Sequence, residues 1–188
     1  MRLAYVWSSP KITLSAPIGY VTRIRNTIRS LEMLGHEVDL VTAASSDASK
    51  FYHKQLKTRL PSSLLFKLKD AYNILHDRRC CKLYRDSFRK RRPDLIYERF
   101  VDFHQSASKV AVQLGIPYLV EMHDPSEALD RYESGHSSNV AVRTQERVAG
   151  RANAVVVVSR ALRDFLVLKG LPSERIHVIP NAVDERLF

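Results

Sequence analysis

The segment from residue 154 to residue 179 constrains the possible folds of this chain most. It contains four consecutive valines, Val155 to Val158, and an apolar run without polar alternation is typical of a strand covered on both faces. Ser159 can cap a helix that follows. The apolar stripe of this helix is Leu162, Phe165 and Leu166. The run from Ile176 to Ile179 supplies a second strand, so the segment predicts a parallel strand pair joined by a right-handed crossover.

The N-terminal part shows the same alternation of elements. Leu3 to Trp7 is an apolar run that predicts a buried strand, and Val38 to Val41 predicts the next one. Between them apolar residues recur at helical spacing, and Gly35 ends the helix. These positions are Val21, Ile24, Ile28, Leu31 and Leu34. We expect the arginines between them to face outward. A strand, a glycine-bearing loop, a helix and a strand are the opening of a Rossmann-like sheet.

The rest of the chain continues this pattern with further strands at 93–99 and 118–122 and helices at 103–114 and 140–150. We therefore predict an α/β fold, a doubly wound and mostly parallel sheet of about six or seven strands with helices on both faces. A length of 188 residues suits one domain, and we assign residues 1–188 to it.

Three polar side chains follow predicted strands at their carboxyl ends. Arg99 comes at the end of one strand, and His123 and Asp124 directly follow another. Open α/β sheets bind ligands at this edge, and an imidazole there can donate or accept a hydrogen bond near pH 7. Each side chain also has a structural alternative. His123 can be an ordinary structural histidine, Arg99 can form a salt bridge, and Asp124 can cap a helix.

The start of the first predicted helix offers backbone donors. The amides of Gly19, Tyr20 and Val21 lack intrahelical acceptors there, and such donors can hold a phosphate. A glycine needed only for a tight turn is the alternative. The Gly-x-Gly-x-x-Gly pattern is absent after the first strand, which disfavours a dinucleotide-dependent dehydrogenase.

Residues 50–92 carry the whole excess of positive charge. They hold 14 Lys and Arg against 3 Asp and Glu, whereas the remainder holds 16 against 17, for a net charge of +10. The segment is predicted to be helical from Ser62 onward, with a basic stripe at regular spacing. This stripe consists of Arg78, Lys82, Arg85 and Arg89.

The basic stripe allows three interpretations. A solvated face, or contact with an acidic neighbour, is the plain interpretation. The second is attachment to the anionic headgroups of a membrane surface. Nucleic acid is not expected as a partner, because aromatic residues do not alternate with the basic ones and no nucleic-acid-binding module is present.

The same segment begins with an apolar stripe. Its members are Leu64, Leu68, Ala71 and Leu75. On one straight helix the apolar and basic stripes would lie on nearly the same side. We therefore predict a bend or break between Asn73 and Asp77. One unbroken straight helix from Ser63 to Arg89 would contradict this prediction.

The lengths of the apolar runs and the spacing of the cysteines narrow the remaining classes of protein. No apolar run approaches the roughly 20 residues of a membrane span. The two cysteines, Cys80 and Cys81, are adjacent, and neither a metal site nor a disulfide framework is predicted from them. We expect a reduced, cytoplasmic protein without a bound metal, peripheral at the inner face of the membrane if the basic stripe binds lipid.

The C-terminal part also carries a family resemblance. Val-Ser-x-x-Leu, from Val158, is followed by Arg-Ile-x-Val-Ile-Pro-Asn-x-Val-Asp-x-x-x-Phe, from Arg175. This pair of motifs resembles the segment that closes the N-terminal domain of family-4 glycosyltransferases with the GT-B fold. The resemblance covers residues 1–42 and 93–188, while residues 43–92 match by position only.

The resemblance implies the acceptor-side domain of a retaining glycosyltransferase that uses a nucleotide-diphosphate sugar as co-substrate and no separate cofactor. It implies that His123 is the catalytic residue. Gly19 and Tyr20 would bind the donor diphosphate, and Arg99 and Asp124 would bind the acceptor.

Similar enzymes hold the diphosphate with Arg and Lys of a second, C-terminal domain, whose Glu-x7-Glu motif binds the donor sugar. We expect that domain to be missing here and to be supplied in cis or as a separate chain. Without those cations the chain alone is predicted to be inactive. A natural split-enzyme subunit and a non-catalytic module that binds a nucleotide or a glycolipid are the alternatives.

Overall fold

Six strands form one parallel sheet in the part of the chain that the structure describes. The structure is a computed structural model, and it describes residues 1–9, 19–43, 62–126 and 139–182. The strands are β1 (Arg2–Trp7), β2 (Glu37–Thr42), β3 (Leu95–Arg99), β4 (Tyr118–Met122), β5 (Ala154–Val157) and β6 (Ile176–Val178). The helices are α1 (Gly19–Met33), α2 (Ser62–Lys90), α3 (Ser106–Leu114), α4 (Asn139–Arg151) and α5 (Arg160–Leu168), with a short 3-10 helix at Ser173–Arg175. The spatial order is β2-β1-β3-β4-β5-β6, and all neighbouring strands are parallel.

The direction of winding reverses at β1, and this reversal places helices on both faces of the sheet. The chain moves from β1 to β2 in one direction and then from β3 to β6 in the other. Because parallel crossovers are right-handed, α1 lies on one face and the later helices lie on the opposite face. The buried residues agree with this placement of α1, since Val21 and Ile24 of α1 pack with Tyr5 and Trp7. The opposite face carries Ala4, Val6, Cys80, Tyr84, Phe88, Val110, Val148 and Leu162. The predicted doubly wound α/β fold is confirmed.

The predicted β5–α5–β6 unit is also present. The Ser159 hydroxyl accepts a hydrogen bond from the Leu162 amide at 3.2 Å and caps α5. Leu162 and Leu166 are buried, and Phe165 packs against the same core. Gly170 has a φ of +88°, a left-handed conformation that favours glycine directly after the helix.

Of the bend or break predicted between Asn73 and Asp77, the break is wrong, because α2 continues without interruption from Ser62 to Lys90. The apolar stripe is not buried. Leu68 and Leu75 are each 54% exposed, and Ala71 is exposed as well. The side chain of Leu64 lies outside the described residues. The apolar and basic stripes therefore share the solvent-facing side of one helix, and no break is needed to separate them.

A different set of residues makes the inner face of α2. The buried positions are Asn73, Asp77, Cys80, Tyr84 and Phe88. Their spacing of four, three, four and four is that of a single helical face. Two of the five are polar, which is why apolar periodicity alone identified the wrong side.

The helix predicted from residue 103 begins later, at Ser106. Phe103 has a φ of +69° and lies in the preceding turn. Oδ1 of Asp77 accepts hydrogen bonds from the amides of Gln105 at 3.0 Å and Ser106 at 2.9 Å. A carboxylate of α2 therefore fixes the start of α3 in the manner of an N-cap.

The sheet also carries a buried carboxyl group, Glu98, on its α2 face. Its oxygens accept hydrogen bonds from the hydroxyl of Tyr118 and from the hydroxyl of Ser8, the latter at 3.3 Å. The Ser8 hydroxyl is also hydrogen-bonded to the Tyr84 hydroxyl at 2.7 Å. Burial raises the pKa of Glu98 to about 8, against the opposing effect of the Tyr118 hydrogen bond. The Glu98 carboxyl is therefore mostly neutral at pH 7.

Candidate functional site

A second buried carboxylate, Glu121, organises the α1 face of the sheet at the carboxyl ends of the strands. Glu121 is 0% exposed although it belongs to β4, an otherwise apolar strand. Nε of Arg23, from α1, donates to Oε1 of Glu121 at 2.7 Å. The hydroxyl of Tyr97, from β3, donates to Oε2 at 3.0 Å. One carboxylate thus joins a helix and two strands at the edge where ligands bind in open α/β sheets.

His123 and Arg99 meet at the same carboxylate. Nε2 of His123 lies 2.7 Å from Oε1 of Glu121 and 2.6 Å from Nη1 of Arg99. Nη1 of Arg99 is itself 3.6 Å from Oε1 of Glu121. A ring nitrogen either donates or accepts, so Nε2 forms only one of its two hydrogen bonds at a time. In both tautomers the protein occupies Nε2, whereas Nδ1 has no hydrogen-bond partner among the described residues.

The surroundings shift the pKa values of these groups. Burial alone would raise the pKa of Glu121, but the hydrogen bond from His123 and the charges of His123, Arg23 and Arg99 lower it to about 2. Burial raises the pKa of Tyr97 well above its usual range, and the Glu121 charge adds to this effect. Burial lowers the pKa of Arg99, and the Glu121 charge opposes that shift. Glu121 therefore remains ionised near pH 7 while the Tyr97 hydroxyl keeps its proton.

The start of α1 lies on the same face as His123. Gly19 and Tyr20 are the first residues of α1, and Arg23 comes one turn later. Arg23 and His123 contact the same oxygen of Glu121. The helix that begins at Gly19 and the imidazole after β4 are thus joined through a shared carboxylate. Residues 10–18 and the side chain of Tyr20 lie outside the described residues.

The loop after His123 is anchored by other polar side chains. The Gln145 side chain of α4 donates to the Asp124 carbonyl at 2.8 Å and accepts from the Ser126 amide at 2.9 Å. The Ser126 hydroxyl donates to Oδ1 of Asp102 at 2.6 Å. The Asp124 side chain is exposed beside this anchored loop and does not join the Glu121 cluster.

The basic stripe lies on α2, the helix on the face of the sheet opposite to α1. Arg78, Lys82 and Arg89 are exposed, whereas Arg85 is partly buried and donates to the Gln113 side chain at 3.2 Å. Within the described ranges, no helix has the length and apolar character needed to cross a membrane. No three His, Cys, Asp or Glu side chains of these ranges are arranged to hold a metal ion.

Three residues of the cluster were missed in the sequence. The prediction that arginines of α1 face outward is wrong for Arg23, whose side chain is only 21% exposed because it pairs with Glu121. Arg25 and Arg29 are exposed as predicted. A carboxylate within the apolar strand Tyr118–Met122 was the available signal for Glu121, since a buried charge requires partners. Tyr97 carried no signal of its own.

The chain also matches a known protein family. The model of Glycosyltransferase Family 4 matches residues 18–187, nearly the whole chain. The chain belongs to glycosyltransferase family 4. No curated protein matches this family-4 domain in sequence.

Solved structures show the same Rossmann-like α/β fold. Sucrose-phosphate synthase from Thermosynechococcus elongatus has a TM-score of 0.66 at 15% identity, covering 100% of this family-4 domain and 49% of that chain. A lipopolysaccharide outer core galactosyltransferase has a TM-score of 0.59 at 18% identity. The match covers 98% of this family-4 domain and 46% of the galactosyltransferase chain. UDP-GlcNAc 2-epimerase from Methanocaldococcus jannaschii has a TM-score of 0.63 at 13% identity. The match covers 96% of this family-4 domain and 46% of the epimerase chain.

At these identities the likeness concerns the fold alone, and transferases and epimerases share it. The family-4 domain spans a little under half the length of each of these neighbours.

Proposed function

We propose that this chain is the acceptor-side domain of a retaining glycosyltransferase. It would take a sugar from a nucleotide-diphosphate donor and transfer it to a glycan, a glycolipid or a small-molecule acceptor. Membership of glycosyltransferase family 4 supports the reaction class. Support for a nucleotide sugar comes from the epimerase of Methanocaldococcus jannaschii, which has the same fold and was solved in complex with UDP-GlcNAc and UDP.

The observation that carries this proposal is the position of His123. It directly follows β4, at the carboxyl ends of the strands, and Glu121 holds its Nε2 at 2.7 Å. We assign to His123 the contact with the transferred sugar in the catalytic step. The amides of Gly19 and Tyr20 would receive the donor diphosphate, because the first amides of a helix lack intrahelical acceptors.

The acceptor would lie between the carboxyl ends of β3 and β4. Arg99 is the last residue of β3, and Asp124 is exposed just after His123. We assign acceptor binding to these two side chains, because they flank His123 along the edge of the sheet. Arg99 would offer N–H donors, and Asp124 would accept hydrogen bonds from sugar hydroxyls.

Transfer would require a second domain that binds the donor, supplied in cis or as a separate chain. Departure of a nucleoside diphosphate builds up negative charge, and cations fixed in the site stabilise that charge. Among the described residues, the arginines that approach the site are Arg23 and Arg99, and both contact Glu121. We therefore propose that the chain alone does not transfer sugar.

The experiment is a transfer assay with UDP, GDP and ADP sugars that measures the released nucleoside diphosphate. The chain is assayed alone and together with a donor-binding domain encoded downstream or by a neighbouring gene. We expect release only with both domains, its loss in His123→Ala, and an unchanged anomeric configuration in the product. Transfer by the chain alone would refute the need for a partner domain. Nucleotide or glycolipid binding without any turnover would favour the non-catalytic module.

We also propose that the outer side of α2 docks on an anionic membrane surface. The observation in its favour is that exposed apolar and basic side chains share this side of the helix. Leu68 and Leu75 are 54% exposed, and Leu83 is 43% exposed. Arg78, Lys82 and Arg89 lie among them and form no ion pair within the described residues. Apolar side chains that enter the headgroup region beside cations that bind anionic lipid are typical of an interfacial helix.

Sedimentation with vesicles tests this docking. We expect the chain to bind phosphatidylglycerol vesicles at low salt and to bind pure phosphatidylcholine vesicles much less. Replacing Arg78, Lys82 and Arg89 by glutamine should weaken binding by roughly a hundredfold, because each basic residue near the surface contributes about 1 kcal/mol. The matched control replaces the exposed Arg143, Arg147 and Arg160 by glutamine, which gives the same change in charge. Equal binding of the two triple variants, or no binding of the wild type, contradicts the proposal.

A further inference from the structure

The cluster around Glu121 has more positive than negative charge. Arg23 and Arg99 are permanent cations, and they share the single carboxylate of Glu121. Without counting His123, these groups sum to one surplus positive charge. The surplus lies in a partly buried region, since the Arg23 and Arg99 side chains are 21% and 12% exposed and Glu121 is 0% exposed. A charge that is partly removed from water and not neutralised is costly, and a ligand of opposite charge lowers that cost.

The two guanidinium groups also retain unused donors. Arg23 contacts Glu121 through Nε, and Arg99 contacts His123 and Glu121 through Nη1. Among the described residues, the outer nitrogens of Arg23 and Nη2 and Nε of Arg99 have no acceptor. The Arg23 and Arg99 side chains are 21% and 12% exposed, so part of each side chain is in contact with solvent. The cluster can therefore offer N–H groups to an incoming anion.

Glu121 determines how these donors are presented. It contacts Arg23 of α1 and Arg99 of β3 through the same oxygen, Oε1, at 2.7 and 3.6 Å. Two guanidinium groups held by one atom lie close together and cannot both be neutralised by it. Guanidinium groups bind carboxylate and phosphate oxygens through paired N–H donors, and phosphate offers enough oxygens for both groups.

We propose that Arg23 and Arg99 together bind a phosphate group of the substrate, with Glu121 as the positioning residue that holds the two guanidinium groups side by side. The proposal deepens the function proposed above, because it names the ligand chemistry of the same site. The phosphate has two sources in that reaction. It belongs either to the nucleoside diphosphate of the donor or to an acceptor that carries a phosphate monoester.

The first test measures binding of inorganic phosphate by the 188-residue chain at low ionic strength, by calorimetry and by chemical shifts of the arginine Nε–H groups. We expect Arg99→Met and Arg23→Met to weaken phosphate binding at least tenfold. Arg99→Lys should lose less than Arg99→Met, because it keeps the charge and loses the paired donors. Arg29→Met is the matched control on α1, since Arg29 is exposed, and it should change the affinity less than twofold.

Glu121→Gln separates a binding role from a structural one. Glutamine keeps an oxygen acceptor that can hold the two guanidinium groups, and it raises the surplus charge by one. A Glu121→Gln variant that keeps its fold by circular dichroism should therefore bind phosphate at least as tightly as the wild type. A purely structural ion pair predicts that all substitutions in the cluster lower the melting temperature and that none changes phosphate affinity. Failure of the wild type to bind phosphate, or equal affinities of the wild type and Arg99→Met, overturns the proposal.

The second test identifies the source of the phosphate. UDP is compared with uridine, and glucose 6-phosphate is compared with glucose. A loss of UDP affinity in Arg99→Met assigns the site to the donor, whereas a loss of sugar-phosphate affinity assigns it to the acceptor. If the chain binds phosphate but no assay detects sugar transfer, the phosphate site is supported and the transferase proposal is refuted. Transfer that is unchanged in Arg99→Met would remove this site and the acceptor-binding role of Arg99, and it would leave the transferase reaction itself in place.

Discussion

Oε1 of Glu121 lies 2.7 Å from Nε2 of His123, and Glu121 belongs to β4 while His123 is the first residue after that strand. Residues two apart in an extended segment project to the same side, so the carboxylate sits directly behind the imidazole. Glu121 in turn receives hydrogen bonds from α1 and from β3. The orientation of the proposed catalytic imidazole is therefore set by α1, β3 and β4 rather than by the loop that follows His123.

Glu121→Gln should destabilise the fold at neutral pH. The pKa of Glu121 is lowered to about 2, so its charge contributes stability above the ordinary carboxyl range and this contribution is lost as pH falls toward 2. A shift of this size corresponds to about 3 kcal/mol at pH 7. Urea unfolding of both proteins at pH 7, 5, 4 and 3 measures the effect.

The difference between wild type and Glu121→Gln should shrink progressively below about pH 5. Glu32→Gln is the control, because Glu32 is an exposed carboxylate of α1, and we expect a change within about 0.5 kcal/mol. A difference between wild type and Glu121→Gln that stays constant from pH 7 to pH 3 would mean that the Glu121 charge does not stabilise the cluster.

Tyr97→Phe and Tyr5→Phe should have opposite effects although the two rings pack at 5.1 Å from each other. Tyr97 donates to Oε2 of Glu121, and losing a hydrogen bond to a buried charge costs about 1.5–3 kcal/mol. The Tyr5 hydroxyl is buried without a hydrogen-bond partner among the described residues, so its removal should be neutral or stabilise by up to about 1 kcal/mol. Thermal unfolding of both variants measures these changes in stability. An equal loss of stability in both would contradict the different roles assigned to the two hydroxyls.

Asp77→Ala should destabilise the start of α3. The substitution removes the acceptor of two amides, those of Gln105 and Ser106, and we expect a loss of about 2 kcal/mol. Asp77→Asn keeps an oxygen acceptor and should lose less than half as much. Asp86→Ala is the control on the same helix, because Asp86 is exposed. Hydrogen exchange of the Ser106 amide provides the local measurement, and unchanged protection in Asp77→Ala would refute the capping role.

The sequence predicted the elements whose determinants are local. The run Val155 to Val158, the cap at Ser159 and the glycine at 170 act within a few residues of one another, and β5, α5 and β6 are present as predicted. Gly35 likewise ends α1 with a positive φ. Local signals were also sufficient to predict a doubly wound, mostly parallel sheet, whereas they did not give the order of the strands.

The remaining features depend on residues far apart in the chain. Apolar periodicity finds a face of a helix but not the side that packs inward, and α2 turns Leu68 and Leu75 outward because Asp77 and Tyr84 have polar partners on the sheet side. Glu121 pairs with Arg23, 98 positions away. Such a pair is invisible to local patterns, which is why the sequence predicted His123 and Arg99 but not the carboxylate that joins them.

Glu98→Gln should change the pH dependence of stability in the opposite direction to Glu121→Gln. Burial raises the pKa of Glu98 to about 8 in the folded chain, so the folded state keeps a proton that the unfolded state releases in the ordinary carboxyl range. The stability that this group contributes is therefore present at low pH and is lost as pH rises toward 8, with a slope of at most about 1.4 kcal/mol per pH unit. Glutamine stays neutral and can still accept a hydrogen bond from Tyr118, so the two proteins should be similar at pH 5, and Glu98→Gln should be more stable by about 4 kcal/mol at pH 8.5. Urea unfolding between pH 5 and pH 9 measures both slopes. Parallel curves for the two proteins would mean that Glu98 is ionised in the folded chain.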